Sequence, residues 1–192
     1  MQTITIGPIG FPEKDGDQPY MASDFKAQLD QADPSQPLYL DFHSEGGSVV
    51  EGYRIQQLLN EYPGKIVGRV RCMAFSIASY ALMECDEIEI AENGFVMVHN
   101  PYSQPEGDSR ELAKQADFLG QLQSNMVAKY SERTGLSTED VQALLDAETY
   151  IGATQAIELG FADRIIGGST SPREPQALAY RCLLYTSPSP RD

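Results

Sequence analysis

Basic residues are scarce in this chain. Fourteen Lys and Arg stand against 28 Asp and Glu in 192 residues, a formal net charge of -14. Sequence-independent nucleic-acid binding needs a basic surface that displaces counterions, so that class is excluded, and anionic lipid would repel the chain. Cysteine is sparse too. Cys72, Cys85 and Cys182 form neither a metal nor a disulfide spacing, and the odd count fits a reducing cytoplasm. No run approaches the ~18 apolar residues of a membrane span. The opening MQTITIGPIGFPEKDG has no basic stretch followed by an apolar one, so no signal peptide is expected. GxxxxGK[ST] is absent, so the chain has no phosphate loop of that type and no ATP site is expected. Neither a metal nor another cofactor is expected.

What is present suits one domain with a sizeable core, since 41% of the residues are hydrophobic. QTITIGPIG (2–10) alternates like a strand. MASDFKAQLDQA (21–32) places Phe25 and Leu29 on one helical face. PLYLDFHS (37–44) alternates Leu38, Leu40 and Phe42, then EGGS breaks the strand, and VVEGYRIQQLLNEY (49–62) is helical. KIVGRVRCM (65–73) is a strand, and SIASYALME (76–84) reads as a buried helix because it is small and apolar throughout. DEIEIAE (86–92) and FVMVHN (95–100) are strands around Asn93-Gly94. After a polar loop, residues 110–135 form a long helix with Leu112, Leu119, Leu122, Met126 and Tyr130 on its apolar side, ended by Gly135. Ser137 caps a helix over STEDVQALLD, and a strand, a short helix over 153–160 and a last strand over FADRII follow. Strands alternating with helices predict an α/β domain with a mainly parallel sheet.

Several residues are candidates for chemistry. Ser76 stands where a strand gives way to a helix, so its hydroxyl would lie beside helix N-terminal N–H groups that favour developing negative charge. Serine is equally a common N-cap there. Ser79, one turn on, reads as a small packing residue. His99 ends a strand before Asn-Pro, a usual place for a working side chain, although a lone histidine is more often structural. His43, the other histidine, is in phase with Tyr39 and Asp41 and opposite the apolar face, which makes it a surface residue. Gly46-Gly47 is either a tight turn needing positive φ or a bare backbone that points an N–H at an oxyanion.

Taken in order, GGSV, the serine pair, VMVHNP, the long helix and AETYIGATQAIELGFAD resemble the ClpP-type serine peptidases, above all the Clp-like peptidases of phage and prophage head maturation. The likeness covers about residues 2–166. It implies the ClpP/crotonase-like fold of repeated β-β-α units, with a mainly parallel sheet and residues 110–135 as the long "handle" helix. It further implies Ser76 as nucleophile, His99 as general base, and the N–H groups of Gly47 and Ile77 as oxyanion donors. Glu148 matches the position of the acid, with Asp146 in reserve, and Asp163 matches a structural position. Many family members carry Asp where Glu148 stands, and phage-type members often carry Glu. Family members usually have Pro where Glu45 stands, and small residues at Cys72 and Phe75, so a carboxylate beside the oxyanion site and a narrowed groove are expected.

The implied activity is serine endopeptidase, ATP-independent or partner-assisted, acting on protein or peptide, with capsid or scaffold protein as candidate substrates. Homo-oligomeric rings are implied, located in a bacterial cytoplasm or phage prohead. An AAA+ unfoldase is a weaker expectation, because the chain starts almost directly at its first strand. Three alternatives differ in class: a housekeeping-type ClpP paralogue fed by an unfoldase, a crotonase-type acyl-CoA enzyme, and an inactive scaffolding pseudo-peptidase. Residues 1–168 form the expected domain and 169–181 a linker or truncated continuation. Residues 182–192, CLLYTSPSPRD, read as a translated sequencing adapter or a disordered tail.

Overall fold

Period-two alternation along LYLDFHS buries Leu38, Leu40, Phe42 and Ser44 and turns Tyr39, Asp41 and His43 outward. This is the second strand of a mixed α/β fold. A computed structural model describes residues 2–10 and 19–167; the expected segments 169–181 and 182–192 lie outside the described residues. In chain order the elements are β1 (Gln2–Ile6), α1 (Ala22–Leu29), β2 (Leu38–Ser44), α2 (Val49–Asn60), β3 (Ile66–Phe75), α3 (Ile77–Leu82) and β4 (Glu87–Ala91). There follow β5 (Phe95–Val98), α4 (Ser109–Thr134), α5 (Thr138–Asp146), β6 (Thr149–Gly152), α6 (Ala153–Glu158) and β7 (Arg164–Ile166). The sheet runs β1-β2-β3-β4-β7, all parallel. This is the mainly parallel α/β fold with a long handle helix that the sequence implies.

Strand β3 sets the position of everything that matters for chemistry. It is ten residues long, and its first half pairs with β4 while its last three residues pair with β5. The β4–β5 turn therefore shifts the chain along β3, so that β5 ends where β3 ends. Strand β6 then lies antiparallel on β5. The sheet closes on a cross-strand row of charge. Arg69, Glu89 and Arg164 are register neighbours on β3, β4 and β7, and Glu89 is almost fully buried. Burial alone would raise the Glu89 pKa, but hydrogen bonds from Arg164 and Arg69 outweigh it and hold the group below the usual carboxylate range.

Helix α3 is buried over all six residues, as its composition requires. It packs against α2 and β3. Each fully buried Ile or Leu here contributes roughly 1.5–3 kcal/mol. One polar contact was not legible in the sequence: Glu51 of α2 is buried, and its Oε2 accepts the Ala22 N–H at 2.8 Å, capping α1. Helix α4 corrects the expected apolar stripe. Met126, Val127 and Tyr130 are buried in the core, but Leu112 is exposed and Leu119 and Leu122 are half-buried. The N-terminal half of α4 extends past the core, so periodicity there marks a face that the core does not cover.

Candidate active site

Two adjacent strands bring Ser76 and His99 together. Phe75 pairs with Met97 across β3 and β5. One residue beyond the end of each strand, the Ser76 Oγ lies 2.6 Å from His99 Nε2. The Ser76 N–H donates to the Met97 carbonyl at 2.9 Å. Ser76 is the N-cap of α3, with φ 54 and ψ -129, and its side chain makes no capping bond. A non-glycine residue in that region costs about 1–3 kcal/mol. The strain turns the hydroxyl away from the α3 N–H groups and toward the imidazole. Ser76 thus holds the N-cap position that the sequence offered, without capping the helix through its side chain.

The Gly46-Gly47 turn lies against this corner. Gly46 has φ 98, and a Cβ on it would fall 2.6 Å from the Ser76 Cβ and 2.8 Å from the Phe75 carbonyl. Gly47 has φ 136, and a Cβ there would fall 2.0 Å from the Ile9 carbonyl. The tight turn needing positive φ that the sequence offered is present, and the close approach of the neighbouring backbone adds a second reason for glycine. Ile9 clamps the turn, its N–H donating to the Gly46 carbonyl at 2.7 Å and its carbonyl accepting the Ser48 N–H at 2.8 Å. The periodic reading of residues 2–10 as one strand missed this role, because β1 stops at Ile6 and Ile9 pairs separately. Neither the Gly47 nor the Ile77 N–H has an acceptor among the described residues.

The carboxylates are arranged differently. Val98 pairs with Thr149 in the antiparallel β5–β6 ladder, so one step further sets residue 99 opposite residue 148. Glu148 is exposed, with φ 48. His99 has no hydrogen bond to either candidate acid, and Ser76 is its one hydrogen-bond partner among the described residues. Burial pushes the His99 pKa below its ordinary value, and the Glu148 charge opposes that shift in part. The imidazole is thus favoured in its neutral form. Asp146 accepts instead from Asn100 Nδ2 at 2.8 Å and Gln142 Nε2 at 2.7 Å, tying the segment after His99 to the end of α5. Asp163 is structural in its contacts, accepting from the Ile88 N–H and from Arg133.

A cleft of about 1250 Å³ opens over Ser76 and His99. Its walls include Val50, Met73 and Met97, with Phe118, Leu119 and Leu122 of α4. The uncovered half of the long helix is therefore a wall of the site, which its heptad-like spacing did not reveal. Glu45, Asp146 and Glu148 line the cleft, and no Lys or Arg among the described residues does. His43 lines it too, although it is exposed as its phase requires. Two expectations about narrowing need correction. Phe75 turns to stack edge-on against Tyr150, with centroids 5.5 Å apart, and Cys72 is exposed; neither lines the cleft, where β3 instead contributes Met73. Tyr102, beyond the reach of any motif argument, sits tilted against the His99 ring at 5.7 Å. No group of three or more His, Cys, Asp or Glu suited to a metal occurs among the described residues.

The chain is similar to the ATP-dependent Clp protease proteolytic subunit 2 of Synechococcus sp. (strain CC9605), 24% identical over 142 residues, covering 72% of this chain and 71% of that protein. It is 25% identical over 140 residues to the ATP-dependent Clp protease proteolytic subunit 1 of Prochlorococcus marinus subsp. pastoris, with coverage of 72% and 71%. The model of the Clp protease family matches residues 19–169, which spans α1 to β7 and every side chain of the Ser76–His99 corner, so the chain belongs to the Clp protease family.

Proposed function

We propose that the protein is a serine endopeptidase in which Ser76 attacks the scissile carbonyl and His99 takes its proton. The observation that carries this reading is the 2.6 Å contact between Ser76 Oγ and His99 Nε2 on a strained strand-to-helix corner. Serine at its free pKa is a weak nucleophile and needs an adjacent neutral base. His99 then returns the proton to the leaving amine. The open N–H groups of Gly47 and Ile77 receive the oxyanion, and one such donor is worth roughly 3–4 kcal/mol in enzymes of this kind. Glu148 stabilises the imidazolium through its charge, with Asp146 as the reserve acid.

The substrate is polypeptide, as the names of the similar proteins as protease subunits support. Homo-oligomeric rings are the assembly that the motif likeness implies. The names of the similar proteins call them ATP-dependent; with no GxxxxGK[ST] in this chain, any nucleotide dependence would rest with a separate unfoldase. The context we favour is phage or prophage head maturation, acting on scaffold or capsid protein in the host cytoplasm or prohead. It rests on the likeness of the motifs and on Glu at position 148. Among the described residues no helix is long and apolar enough to cross a membrane.

The test is labelling by a fluorophosphonate serine probe on wild type, Ser76→Ala and His99→Ala, with peptide mapping of the adduct. An adduct on Ser76 that is lost in the first variant and slowed in the second supports the reading. A folded wild type that takes no label overturns it.

A further inference from the structure

A second hydroxyl lies directly beneath the Ser76–His99 pair. Ser79 of α3 is fully buried. Its Oγ is 2.7 Å from the Ser76 carbonyl oxygen, 3.0 Å from the Met97 carbonyl oxygen and 2.8 Å from the Tyr130 phenolic oxygen. Proton counting assigns the directions. A serine hydroxyl holds one proton, and carbonyls only accept. The Tyr130 O–H therefore donates to Ser79, and the Ser79 O–H is shared between the two carbonyls. Tyr130, on α4, is fully buried, and Ser79 is the one partner of its hydroxyl among the described residues. Burial pushes the phenol's pKa well above its ordinary value, so it stays a donor.

The two carbonyls belong to the two arms of the site. One is the carbonyl of Ser76 itself, whose backbone is held at φ 54. The other, on Met97, also accepts the Ser76 N–H and lies two residues before His99. A conformation this unfavourable persists only where its surroundings over-determine it. One hydroxyl thus ties the strained corner to the strand that carries the histidine, and a phenol on the long helix locks that hydroxyl. This differs from the expectation that Ser79 is merely a small packing residue.

We propose, building on the serine-peptidase reading above, that Ser79 and Tyr130 are positioning residues that set the approach of Ser76 Oγ to His99 Nε2. The experiment compares wild type, Ser79→Ala, Tyr130→Phe and the double variant by thermal melting and by the rate of fluorophosphonate labelling at saturating probe. Ser79→Ala strands a buried phenol without an acceptor and lowers Tm. The double variant removes both polar groups, so its Tm returns most of the way to that of wild type.

If the network positions the pair, the double variant still labels at least about tenfold more slowly than wild type. The loss then falls on the maximal rate and not on the probe concentration giving half of it. A double variant with both Tm and labelling rate restored overturns the proposal and leaves the peptidase reading standing. A wild type that takes no label overturns the peptidase reading itself. Should the double variant fail to fold, Tyr130→Phe decides, because Ser79 keeps both its acceptors there. Slower labelling supports the proposal, and labelling at the wild-type rate overturns it.

Discussion

The serine side and the carboxylate side of the site are built by opposite means. Ser76 stands on a buried helix, in a strained backbone, with its N–H and carbonyl both bonded and its hydroxyl on the imidazole. Glu148 is exposed, follows a helix end, and reaches His99 through charge without a hydrogen bond. The difference teaches where precision is needed. Proton transfer and attack depend steeply on distance, and under the proposed mechanism the short contacts of the Ser76 N–H, carbonyl and hydroxyl supply that precision. A charge that steadies an imidazolium acts over longer range and tolerates looser placement.

The strongest attempt to break this contrast is removal of the pair itself. Ser76→Ala and His99→Ala should each lower peptide cleavage by at least about 10³-fold, while circular dichroism and melting stay close to wild type. A variant that keeps substantial turnover would remove the serine side from the mechanism. Next comes Gly47→Ala. The added Cβ meets the Ile9 carbonyl and must adopt φ 136, so denaturant unfolding should report a loss of roughly 2–4 kcal/mol. A neutral effect would mean that the turn against Ile9 is softer than its contacts indicate.

Glu148→Gln probes the looser side and should cost less, about 10–100-fold in kcat/KM. Its pH profile carries a sign. Base catalysis needs neutral His99, so the rate climbs as pH rises through the His99 pKa. Burial lowers that pKa and the Glu148 charge raises it. Removing the charge should move the acid limb to lower pH, and a shift to higher pH would exclude Glu148 as the charge that His99 senses. The smallest effect is expected for Asp146→Asn, within about threefold in kcat/KM, because that carboxylate is occupied by Asn100 and Gln142. A larger loss from Asp146→Asn than from Glu148→Gln would exchange the two acids.

Much of the fold was legible because one period or one composition decided it. Alternation in LYLDFHS placed β2, and the uniformly small, apolar SIASYALM announced a buried α3. Ser137 and Gly135 mark helix ends by local chemistry, whereas the Asp108 cap that starts the long helix was read as part of a polar loop. The long helix was legible as a helix but not in its surroundings, since periodicity names a face without saying what covers it. Leu112 is exposed and Phe118 faces the cleft for that reason. Cys72 and Phe75 were misjudged as groove residues because the side of a twisted strand that faces the cleft depends on its neighbours.

By itself, then, the sequence determined which residue types were available: one serine at a strand–helix junction, one histidine at a strand end, and a glycine pair able to take positive φ. Those are properties of single residues and short windows. Only the tertiary structure decided that Ser76 and His99 meet, because their contact depends on β3 outrunning β4 to pair with β5. It alone gave Ile9 its grip on the glycine turn and joined Ser79 to Tyr130 across 51 positions of chain. Contacts of that kind arise from strand register and helix packing, which fix distances between segments that no local pattern relates.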